Sequence, residues 1–100
     1  MNGEATEEVT ITHKVGLHAR PSVKFTKLAK TFPCDIEIAT SPDGPWIDAK
    51  SIVKVMAARA PEGTRLLMRA NGEASQEALA ALKGLVERDF DEAHSDASLG

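Results

Sequence analysis

Apolar and polar residues first alternate with a period of two, where Val9 and Ile11 interleave with Thr10 and Thr12, the pattern of a strand buried on one face. Residues 1–6, polar and small, predict a frayed end before it. Beyond Gly16 the period lengthens: Phe25, Leu28, Ala29 and Phe32 fall at helical spacing and predict an amphipathic helix from Ala19 to Thr31, with Lys24, Lys27 and Lys30 on its other faces and Pro33 behind it. Cys34, Ile36 and Ile38 alternate with Asp35 and Glu37 as a second strand, and Ser41-Pro42-Asp43-Gly44-Pro45 is turn chemistry leading to a short third strand at Trp46 to Ala49. Ser51 stands as an N-cap before Ile52, Val55 and Met56, a short helix closed by Pro61-Glu62-Gly63. Thr64 to Ala70 sets Leu66 and Met68 opposite Arg65 and Arg69 as a fourth strand ending at Asn71-Gly72. A last helix, from Ala74 to Arg88, carries the stripe Ala78, Leu79, Leu82, Leu85 and Val86.

The order β-α-β-β-α-β-α, with strands polar on one face and helices apolar on one stripe, predicts an α+β fold of two layers. A four-stranded antiparallel sheet is covered on one side by three helices. Residues 1–90 form this single domain, and residues 91–100, acidic and small, are expected to be a disordered tail.

Charge narrows the function. Twelve basic against fifteen acidic residues leave a net charge of −3, which argues against nucleic-acid binding. The bases Lys14, Arg20, Lys24, Lys27 and Lys30 cluster nonetheless around one segment, while acids gather at Glu4, Glu7 and Glu8 and from Glu87 onward. No leader-like or membrane-spanning run is present, so the expected location is cytoplasmic, without membrane insertion. Cys34 is the single cysteine, and with His13 on a strand and His94 in the tail no zinc-spaced ligand set exists, so neither a metal nor another cofactor is expected. Trp46 lacks a second aromatic or a basic strip and reads as a packing residue at a turn.

The segment the bases surround is Gly16-Leu17-His18-Ala19-Arg20-Pro21. Pro21 suits the first turn of a helix, which places His18 at the helix mouth, where unpaired amides and the positive end of the helix dipole favour an anion. Arg20 can add charge-assisted bonds to phosphate oxygens, and Gly16 permits the tight entry. Histidine suits a relay, because an imidazole neutral near physiological pH is a nucleophile whose phosphoramidate keeps high transfer potential.

These residues, with Asp48-Ala49-Lys50-Ser51-Ile52 and the element order, resemble HPr, the histidine-containing phosphocarrier family of the bacterial phosphoenolpyruvate-dependent phosphotransferase system, over Glu8 to Asp89. The resemblance implies an open-faced β-sandwich in which His18 accepts a phosphoryl group on Nδ1 from enzyme I and passes it to a histidine of an EIIA-type protein. It implies that Arg20 steadies the phosphoryl group and that Ser51 is a regulatory site, served in some lineages by HPr kinase/phosphorylase. The docking surface is expected to include Ile52, Val53, Val55, Val23 and Lys27, and the carrier to be a monomer. Val15 stands where many members carry a small polar residue, while the longer 41–45 loop and the Phe90-Asp91-Glu92 ending are similar to the nitrogen-related, regulatory branch. Two other readings compete. A ferredoxin-like ligand-binding regulatory domain would need a polar pocket or a dimer face, and a histidine-dependent phosphatase would need further arginines and a second histidine.

Overall fold

In the computed structural model, which describes residues 4–14 and 16–91, the elements run β1 (Glu4–Thr10), α1 (Ala19–Lys30), β2 (Asp35–Ala39), β3 (Ile47–Asp48), α2 (Ile52–Ala58), β4 (Arg65–Asn71) and α3 (Ser75–Glu87), followed by a left-handed turn at Asp89–Asp91. The sheet order is β1-β4-β2-β3, with every pairing antiparallel. Alternation makes this a one-sided sheet. Ile36 and Ile38 on β2 and Leu66, Met68 and Ala70 on β4 are buried beneath the helices, together with Phe25, Ala29, Val55, Leu79, Leu82 and Val86. Cys34 joins this core as a free thiol. On the open face the Arg69 guanidinium bonds Glu37 at 2.7 Å and lies 4.1 Å from the centre of the Trp46 ring, a cation–π contact that fixes the tryptophan at the turn.

Several sequence expectations shift. The N-terminal strand begins at Glu4 rather than fraying to residue 6, because Glu4 to Thr6 pair with Asn71 to Arg69 of β4. Ladder bonds need no apolar side chains, so the polar sequence hid this part of the strand. α2 stops at Ala58, ahead of Pro61, with Arg59 in the left-handed region. On α1 the buried positions are Pro21, Ser22, Phe25, Thr26 and Ala29, whereas Leu28 and, beyond the helix end, Phe32 are only half-buried. Thr26 satisfies its hydroxyl on the carbonyls of Ser22 and Val23, at 2.9 and 3.1 Å.

The chain's end adds to the core. Phe90, the last residue of the expected domain, is fully buried in the turn Asp89–Asp91 and belongs to the core, while Asp89 is half-buried and Asp91 exposed. Truncating so large a buried ring typically costs about 3–5 kcal/mol. Residues 92–100, where most of the expected tail and His94 fall, and Val15 lie outside the described residues.

Ser22 gives the test of this packing. Its hydroxyl is buried and has no hydrogen-bond partner among the described residues. Ser22→Ala removes that unsatisfied group and introduces a stronger helix former, so urea unfolding should show a gain of about 1 kcal/mol. A loss of stability would mean that the hydroxyl is satisfied.

Candidate functional site

His18 is the N-cap of α1, exposed, with extended backbone (φ −86°, ψ −168°) and no capping bond from its side chain. Its main chain is held on both sides: the His18 amide donates to the Gly16 carbonyl at 2.8 Å, and the His18 carbonyl accepts from the Ser22 amide at 2.9 Å. The ring is therefore presented by a fixed backbone while remaining open to solvent. The first turn of α1 carries no acidic residue, and Pro21 occupies its third position, where a helix lacks an i−4 partner. Negative charge brought to His18 thus meets the positive end of the dipole and the exposed Arg20 two residues on.

The loop carrying His18 is seated on the turn between α2 and β4. The Leu17 amide donates to the Ala60 carbonyl at 2.9 Å, and nearby the Ile11 amide reaches the Thr64 carbonyl at 2.9 Å while Gly63 returns a bond to the Ile11 carbonyl at 2.7 Å. Gly16 makes the seat possible. Its φ is +65°, and a Cβ there would lie 2.1 Å from the Ala60 oxygen.

Ser51 caps α2, accepting from the Lys54 amide at 3.3 Å. α2 runs from Ser51 toward Ala60, so the serine sits about 10 Å of helix away from the end that meets the His18 loop. Between those ends Val53 and Met56 share one helix face and are 74% and 41% exposed, and Val23 on α1 is 44% exposed. Ile52 is half-buried and Lys27 exposed. Val55 departs from the expected docking set: it is fully buried because it points from α2 into the core, where no partner can reach it. Met56, at the same helical spacing, turns outward instead. On a helix this short, i, i+3 and i+4 cannot tell which of Val55 and Met56 turns outward, and no sequence signal separates them.

Two basic residues are also placed differently. Lys24, expected on a solvated face, is half-buried and donates to the Phe90 carbonyl at 3.1 Å. His13, expected as an exposed strand residue, lies beyond the end of β1 and is half-buried with its ring edge-on to Phe90. Among the described residues no three His, Cys, Asp or Glu side chains group as metal ligands, and no helix is long and apolar enough to cross a membrane. A hollow of about 590 Å³ between β2, β3 and α2 is lined by Ile38, Trp46, Ile47, Lys54 and Ala58, among others, and includes neither His18, Arg20 nor Ser51.

The seat yields one prediction. Gly16→Ala should cost more than about 2 kcal/mol in urea unfolding, since the methyl group collides with Ala60 and the backbone is left-handed. A variant as stable as the parent would show that this loop is not pressed on Ala60.

Residues 5–88 match the family model described as the PTS HPr component phosphorylation site. The chain is 42% identical over 85 residues to the phosphocarrier protein HPr of Pseudomonas aeruginosa, covering 85% of this chain and 93% of that protein. It is 31% identical over 86 residues to the phosphocarrier protein NPr of Escherichia coli K12, covering 86% and 94%. The NPr likeness accords with the loop and ending that resemble the nitrogen-related branch. Among solved structures, HPr from Thermoanaerobacter tengcongensis superposes with a TM-score of 0.81 at 33% identity, covering 88% of this chain and 97% of that one. HPr from Bacillus anthracis gives 0.76 at 34% identity, covering 83% and 96%. A helix mouth that presents one histidine, on an open-faced sandwich shared with these carriers, places the chain in the HPr family of phosphocarrier proteins of the phosphotransferase system.

Proposed function

We propose that His18 is the phosphoryl-carrying residue, taking the group from the phosphohistidine of enzyme I and giving it to a histidine of an EIIA-type protein. The supporting observation is the exposed N-cap imidazole on a fixed backbone, over a first turn without acids. The lone pair of Nδ1 attacks phosphorus, the donor's phosphorus–nitrogen bond breaks, and the donor nitrogen keeps that electron pair. The reverse exchange with the acceptor restores the free imidazole. Charge on the three phosphoryl oxygens is met by the helix dipole and Arg20, so this chain supplies nucleophile and anion seat while the partner supplies the rest of the catalytic surroundings. Such a relay works as a monomer, because one face must meet donor and acceptor in turn.

Val23, Val53 and Met56, with Ile52 and Lys27 beside them, form the docking face in this reading, and Ser51 lies at its far edge. A phosphate on Ser51 suits the helix it caps but must be desolvated against an apolar partner, so regulation acts on docking and leaves His18 chemically untouched.

Incubation with phosphoenolpyruvate and enzyme I, followed by intact mass, tests the carrier role. The parent should gain one acid-labile phosphate and His18→Ala none. Phosphate retained by a folded His18→Ala would move the site elsewhere, to His13 first. Arg20→Ala should lower the transfer rate in rapid-quench kinetics by about tenfold, with little change in affinity for enzyme I. An unaltered rate would remove Arg20 from the anion seat.

Ser51→Asp addresses the switch. Calorimetric affinity for enzyme I should fall by about one order of magnitude or more while the melting temperature holds, because a fixed charge joins the docking face. Equal affinity would leave Ser51 as a helix cap alone.

A further inference from the structure

Residues Asp89–Asp91 are three consecutive non-glycine residues with positive φ, at 53°, 57° and 58°, an unfavourable path that something must hold in place. Phe90 at its centre is fully buried. What the turn grips is the segment around His18. Thr12 donates its hydroxyl to the Asp89 carboxylate, and the His13 ring stands edge-on to Phe90 with centroids 5.8 Å apart at 69°. On the other side of His18, Lys24 of α1 donates to the Phe90 carbonyl at 3.1 Å. Arg88 closes the turn on itself through Asp91, at 2.9 Å from Nε, and this hydrogen bond holds the guanidinium pKa above its ordinary value.

These contacts continue to the site through the main chain. The His13 carbonyl accepts from the Gly16 amide at 3.0 Å, and the Gly16 carbonyl accepts from the His18 amide at 2.8 Å. We propose that the Asp89–Asp91 turn is a clasp that positions His18 for phosphoryl transfer, with Phe90 and Asp89 as positioning residues that act through His13, Thr12 and Lys24. The clasp grips the chain before His18 and the helix after it, so it fixes the direction in which the imidazole faces an incoming phosphorus. A displacement of about 1 Å in such an approach is enough to slow a transfer by up to about a hundredfold. The proposal rests on the reading that His18 carries the phosphoryl group.

The test measures phosphoryl transfer from enzyme I charged with phosphoenolpyruvate, treating the full-length chain as substrate and separating kcat from KM. Phe90→Ala removes the buried ring, whereas Thr12→Val/Lys24→Met removes both side-chain tethers and leaves the ring in place, which keeps the test open if the first variant does not fold. Ile36→Ala, a core truncation on β2, controls for lost stability. In folded clasp variants kcat should fall about tenfold with KM unchanged, and Phe90→Leu should recover part of the loss. Ile36→Ala should lower the melting temperature and leave kcat as in the parent. A parent-like kcat in the tether variant, or an equal fall in Ile36→Ala, overturns the clasp while His18-dependent labelling of the parent preserves the carrier reading. Labelling that survives His18→Ala overturns both.

Discussion

The site depends on one backbone junction: the Leu17 amide bonded to the Ala60 carbonyl with Gly16 pressed against the same peptide. A helix N-terminus alone is a common feature, and its dipole does not choose which side chain stands at the mouth. The junction makes that choice. It ends the run from β1 at a left-handed glycine, starts α1 at a set point, and leaves His18 as the one residue between loop and helix. The core below serves this arrangement, since Leu66 and Met68 of β4 and Val55 of α2 anchor both sides of the turn that contains Ala60.

In the proposed reading the seat also links two positions distant in sequence. Ser51 caps the start of α2, and Ala60, two residues past its end, receives the His18 loop. Val53 and Met56 lie between them with much of their surface open. If that exposed face is where a partner sits to reach His18, as proposed, charge at Ser51 acts on docking directly, with no need for a signal through the core.

Much of this was legible in the sequence because the signals are local. Periodicity and turn residues gave the elements and the one-sided sheet, Ser51 read as a cap, and the hexapeptide from Gly16 to Pro21 placed His18 at a helix mouth. What escaped depends on contacts across the fold. Glu4 to Thr6 join the sheet through main-chain bonds to β4, which polar side chains do not advertise. Thr12 and Asp89 stand 77 positions apart and meet only after folding, so no local pattern shows that the end of the chain is tied to the segment before His18. The inward turn of Val55 and outward turn of Met56 follow from how α2 lies on the core.

The most direct test is nitrogen-15 spectroscopy of the chain labelled at histidine and backbone nitrogen, before and after charging with phosphoenolpyruvate and enzyme I. A phosphoryl group bonded to Nδ1 of His18, with the largest amide shifts at Ala19 and Arg20, is the predicted result, because those first-turn amides frame the anion seat. Phosphorylation at His13, or at His18 without displacement of those amides, would contradict the account.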